Sequence, residues 1–181
     1  RQVMRDAAAI TSGLSLGPQS VATLVATLAR VPQPWRLSWS RLTTIEDAAL
    51  EPLTRLFTQW AAQAVQVHFI DVDHLEKALR QRTVSGDRSV APGWWRLRME
   101  ALRLMNRPDE FEIVALDYCV TYEVSPPSWE SPRGRFKALQ ADGSVAEGSV
   151  SLQSEPFRDS GLPRGPASGF GEASPGQAGS A

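Results

Sequence analysis

The sequence predicts an α/β fold: a small mixed sheet with helices packed on it. Three observations carry that prediction. Amphipathic helical stretches alternate with short β-like runs between residues 17 and 130. All six tryptophans (Trp35, Trp39, Trp60, Trp94, Trp95 and Trp129) fall before residue 130, and large aromatics dominate core burial, so the core belongs there. After about residue 131 the composition changes, and 161–181 is mostly Gly, Ser, Ala and Pro, too polar and flexible to offset its ordering entropy by burial. The expected organisation is an N-terminal segment at 1–16, an α/β domain at 17–130 and a disordered tail at 131–181.

Within 1–16, Met4 to Ile10 reads as one or two helical turns, the end of an upstream element, and Gly13 breaks it. Gly17-Pro18 opens the first clear helix, because proline suits the first helical position. Val21, Leu24, Val25 and Leu28 follow on one face, and Pro32 and Pro34 end it. Trp35 to Ser40 alternates apolar and polar, a strand with one buried face. In the next helix Ala49, Leu53, Leu56, Phe57, Trp60, Ala61 and Ala64 share a face. Its start is open between a cap at Asp47, with Pro52 interior, and a beginning near Glu51 that accommodates Pro52. Val65 to Ile70 is a second strand, and Asp73 is placed to cap a short helix carrying Leu75, Ala78 and Leu79. Residues 83–92 read as a polar loop. Pro92-Gly93 then opens a helix with Trp94, Leu97, Ala101, Leu104 and Met105 on one face, closed by Asn106-Arg107-Pro108-Asp109. From Phe111 to Val124 alternate positions are apolar on both sides, which predicts a long central strand, bent or bulged, stopped by Pro126-Pro127. Strands alternating with helices call for parallel neighbours and right-handed crossovers.

The totals exclude several classes. Lys and Arg number 19 against 20 Asp and Glu, so the basic excess expected of a nucleic-acid binder is missing. No apolar run approaches the roughly 20 residues of a membrane span, so no direct membrane insertion is expected. No basic start followed by a hydrophobic stretch marks a signal peptide. Cys119 is the only cysteine, which rules out an intrachain disulfide and fits a reducing, cytoplasmic location. Arg1 rather than Met opens the sequence, which reads as a piece of a longer chain.

The stretch from Trp35 to Leu79 resembles a STAS domain, the family of sulfate-transporter tails and anti-sigma-factor antagonists. The resemblance is carried by the strand Arg36 to Leu42, the turn Ile45-Glu46-Asp47-Ala48-Ala49-Leu50, and the following strand Val65 to Val72. It implies a noncatalytic protein-interaction or regulatory domain of bacterial type, whose partner-binding surface would be Glu46, Asp47, Ala48 and Glu51. The family's phosphoacceptor serine falls on Ala48, so the switch is missing. Asp47 then reads either as a permanent negative charge on that turn or as a plain helix cap. The β-pair that normally opens the family's fold does not precede Pro18, which makes the strand at 111–124 the candidate to complete the sheet in a permuted arrangement. A second implication is a soluble accessory subunit of a membrane (lipid or anion) transport complex, bound to a membrane-associated ATPase.

The remaining constellations are weak by spacing. His68 and His74, with Asp71 and Asp73, lie too loosely for a metal motif, and no metal or cofactor is assigned. Cys119 reads as a buried, inert thiol. Asp117 and Glu123 leave open a small enzyme or ligand-binding domain. Arg96, Arg98, Arg103 and Arg107 read as a solvated basic face, and Ser125-Pro126-Pro127-Ser128-Trp129 as an extended exit anchored by an aromatic. No catalytic residue is assigned.

Overall fold

A computed structural model describes residues 15–140, 142, 144 and 145. The chain divides into the units Arg1–Ser144 and Val145–Ala181, and every element below belongs to the first. The predictions for Met4 to Ile10 and for a disordered tail beyond 145 lie outside the described residues.

The elements run β1 (Ser15–Leu16), α1 (Pro18–Leu28), β2 (Trp35–Ser38), β3 (Thr44–Ile45), a short 3-10 turn (Asp47–Ala49), α2 (Leu50–Ala62), β4 (Gln66–Ile70), α3 (Asp73–Gln81), α4 (Gly93–Leu104), α5 (Pro108–Tyr122) and β5 (Arg135–Leu139). The α/β class is as the alternation predicts. Every described strand pair is parallel: β1 with β3, and β2–β4–β5 in one three-stranded sheet. Pro18 occupies the start of α1. Pro52 falls in the first turn of α2, where its missing N–H would have had no intrahelical partner. Asp73 is the first residue of α3 rather than its cap.

One face of the larger sheet forms the core. Trp39, Phe57 and Phe69 meet edge-on or tilted with ring centroids 5.2–6.2 Å apart, and Trp35–Trp60 (5.6 Å) and Phe69–Phe136 (5.1 Å) extend the cluster. This aromatic layer places α2 on the sheet, and α4 packs on α2. On the opposite face Arg36, His68 and Lys137 stand side by side in register.

Two sequence predictions are corrected. Residues 108–122 form the helix α5, not a strand. Pro108 starts it and Asp109 and Glu110 lie in its first turn, both good helix-start signals. Asn106, in the left-handed conformation (φ 57°) that asparagine tolerates, turns the chain from α4 into α5. The sheet is completed from the C-terminal side, but by β5, which lies beyond 130 in the stretch expected to be tail. Gly134 makes this possible: a Cβ there would fall inside the backbone of Val65, 2.7 Å from its nitrogen and 2.9 Å from its carbonyl carbon. The flanking Arg133 and Arg135 amides donate to Ala61 and Val65, both at 2.9 Å.

Candidate functional site

The acidic turn is exposed, but its carboxylates are engaged. Glu46 accepts from the Ser15 hydroxyl (3.2 Å), and its amide donates to the Leu16 carbonyl (2.9 Å). Asp47 caps neither the 3-10 turn nor α2. Its carboxylate accepts from Arg82 Nη1 at 2.8 Å, while Nη2 of the same guanidinium donates to the Ile45 carbonyl at 3.2 Å. Arg82 also lies 4.1 Å above the Trp94 ring, so one side chain joins the turn to the end of α3 and the start of α4. Ala48 is exposed and Glu51 pairs with Arg55 one turn on (3.3 Å). Glu51 also borders an open cleft of about 390 Å³ between the starts of α2 and α4, lined further by Arg55, Gly93, Arg96 and Tyr118.

Asp117 and Glu123 do not converge. Asp117 accepts from the Ser85 hydroxyl (2.5 Å) and Glu123 from Arg88 (3.1 Å). With Gly86 N–H to Thr121 Oγ1 (3.0 Å) and Tyr122 O–H to the Val90 carbonyl (2.6 Å), they strap the 83–92 loop onto α5. His68 lies mid-strand and His74 at the start of α3, and no group of three or more metal-ligating side chains occurs among the described residues. Burial, together with the Lys137 and Arg36 charges, holds the His68 imidazole below its usual range. Its Nδ1 and the Arg36 Nε are buried without a hydrogen-bond partner. Cys119 is free and half-buried.

The arginines of α4 and Arg107 just after it are mostly not a solvated face, which corrects that reading. Arg98 donates to the buried Thr83 hydroxyl (3.0 Å), and burial lowers its pKa. Arg103 pairs with Glu100 (3.3 Å), donates to the Glu130 and Ser128 carbonyls (3.1 and 3.4 Å) and lies 5.0 Å from the Phe111 ring centroid. Arg107 bridges Glu76 (2.5 Å) and Glu110 (3.2 Å). Arg96 alone of the four is exposed. Trp129 packs edge-on against Phe111 (5.2 Å), the aromatic anchor expected for the 125–129 run.

The feature the sequence reading missed is the outer side of α5. Its inner side carries Phe111, Val114 and Ala115, with Tyr118 and Tyr122 against Trp95 (both 6.3 Å). Its outer side carries Ile113, Leu116 and Val120, exposed by 68%, 61% and 69%, and Val124 continues the row just past the helix. Positions 113, 116 and 120 fall at i, i+3 and i+7, so the three form one stripe. A signal was present: 111, 114, 115, 118 and 122 already form a complete helical face, leaving a second apolar set over.

No helix among the described residues is long and apolar enough to cross a membrane. Comparison of the chain with protein-family models, with curated proteins and with solved structures finds no match.

Proposed function

We propose that this chain is a noncatalytic protein-interaction module of STAS-like layout, docking its partner on the outer side of α5. The stripe Ile113–Leu116–Val120 carries the reading. Single exposed apolar residues are ordinary, but a contiguous row of large ones along one helix face is the usual mark of an interaction surface. Covering such a side chain is worth roughly 1.5–3 kcal/mol in apolar transfer, before the costs of association. The helix is already rigid, packed on Trp95 and tied to the 83–92 loop through Thr121 and Tyr122, so little ordering cost remains at binding. The STAS-like layout is supported by the succession of β2, the acidic turn, α2, β4 and α3. Docking is placed on α5 rather than on Glu46, Asp47, Ala48 and Glu51 because Asp47 and Glu51 already have ion partners.

The test is a partner capture with three proteins: the wild type, Leu116→Ser/Val120→Ser, and Asp47→Lys, each checked for an unchanged thermal midpoint. A partner that binds the wild type and Asp47→Lys equally, and the stripe variant at least about tenfold more weakly, supports the reading. The opposite pattern moves the interface to the acidic turn.

A further inference from the structure

We infer that the partner seated on α5 is a basic amphipathic helix of another protein, one whose apolar row is flanked by lysine or arginine. This rests on the reading of α5 as a docking face and adds the chemistry of its occupant. Residues 108–124 contain five acidic side chains and no basic one. Asp109 lies one turn before Ile113, Glu112 one turn before Leu116, Asp117 one turn after Ile113, and Glu123 one turn after Val120, so acids border the stripe on both sides and at both ends.

Helix electrostatics accounts for only part of this. Asp109 and Glu110 sit in the first turn, where the macrodipole favours them, but Glu112 and Asp117 lie beyond its reach and Glu123 stands at the disfavoured C-terminal end. Internal pairing accounts for another part: Glu110 faces Arg107, Asp117 the Ser85 hydroxyl, and Glu123 Arg88. Asp109 and Glu112 are exposed and engage no partner among the described residues. The rim therefore offers open negative charge around an apolar centre.

That charge decides among occupants. A second copy packed through the same face would set acidic rim against acidic rim in either orientation, and an anionic bilayer would be repelled in the same way. A helix is also the right shape. The stripe presents side chains only, with no strand edge to pair, and its span of about 10 Å from Ile113 to Val120 matches two turns of a crossing helix.

The experiment titrates the isotope-labelled chain with two synthetic helical peptides of about 14 residues. They share one leucine face and differ only in lysine or glutamate flanks. The expected result is saturable shifts of the 109–124 amides, with the lysine peptide binding at least about tenfold more tightly than the glutamate peptide. That gap should narrow as salt rises from about 0.05 to about 0.5 M. Leu116→Ser/Val120→Ser should abolish the shifts, and Asp109→Asn/Glu112→Lys should cancel the preference while leaving the thermal midpoint within a few degrees. Equal binding of both peptides on α5 would overturn the basic partner and leave the docking face standing. Silence of α5 towards both peptides, beside a stripe-dependent partner in the capture experiment, would overturn a helical occupant. A concentration-dependent dimer lost in Leu116→Ser would assign the face to a second copy. α5 shifts with phosphatidylcholine vesicles, and with neither peptide, would assign it to a bilayer. Either of those outcomes also overturns the inference.

Discussion

Ile113 and Val114 are neighbours in sequence and face opposite ways: Ile113 is 68% exposed on the outer side of α5, and Val114 is 4% exposed on its inner side. In a strand of the same sequence, Ile113 would share its face with Phe111. In the helix, Phe111 joins Val114 against α4, and Ile113 joins Leu116 and Val120 outside. The helix assignment and the exposure of the proposed docking stripe are therefore tested by the same substitutions.

Phe111→Ala should cost about 3–5 kcal/mol, the usual range for emptying a buried aromatic site. Ile113→Ser should stay within about 0.5 kcal/mol of wild type. Urea denaturation of the two variants checks this, and similar losses for both would contradict the helical face.

Gly134→Ala should destabilise by at least about 1–3 kcal/mol, the range for forcing atoms into a packed interior. The added carbon meets backbone of Val65, which cannot swing aside as a side chain could. A thermal midpoint unchanged from wild type would show that β5 does not approach the start of β4 in solution.

Arg82→Lys should lose stability measurably, about 1 kcal/mol, although the charge is kept. A lysine cannot reach Asp47 and the Ile45 carbonyl together while stacking on Trp94. Asp47→Asn should cost less than about 0.5 kcal/mol, because Asp47 is largely exposed. If Asp47→Asn proved the costlier of the two, the ion pair rather than the stacked fork would be holding the turn.

Stability should fall as pH drops through the ordinary histidine value of 6.5. The folded state holds His68 below that value, so just beneath it the unfolded chain binds the extra proton and unfolding is favoured; above it both states are neutral and the effect vanishes. His68→Gln should flatten this part of the profile, measured as urea midpoints between about pH 5 and 8. Because the Arg36 and Lys137 charges face the imidazole from the neighbouring strands, Lys137→Met should shift the fall to lower extent. A wild-type profile flat through this range would show that burial and the neighbouring Lys137 and Arg36 charges do not depress His68 in solution.

Much of the fold was legible because its elements carry one apolar face each. α1, α2, α3 and α4 repeat apolar residues at three- and four-residue spacing, and β2 and β4 alternate, as residues do when one side meets a core and the other meets water. α5 was not legible in this way. Phe111, Val114, Ala115, Tyr118 and Tyr122 mark one side, Ile113, Leu116 and Val120 the other, and the two sets interleave into the alternation of a strand. Its β-branched and aromatic residues pointed the same way.

The sequence by itself determined the class, the helix start at Pro18, and a core drawn from the tryptophan-bearing segments, because each follows from local backbone preference or from periodicity. Tertiary structure decided the rest. Arg135–Leu139 is a strand because β4 pairs with it, and Gly134 is needed because Val65 lies against it. The Arg103 guanidinium is a staple because the Ser128 and Glu130 carbonyls come within reach of it. Which stripe of α5 is core and which is surface depends on where α4 and the 83–92 loop pack against it, tertiary contacts that the interleaved apolar pattern does not choose between. For that reason the exposed stripe Ile113–Leu116–Val120 became visible only when the chain was folded.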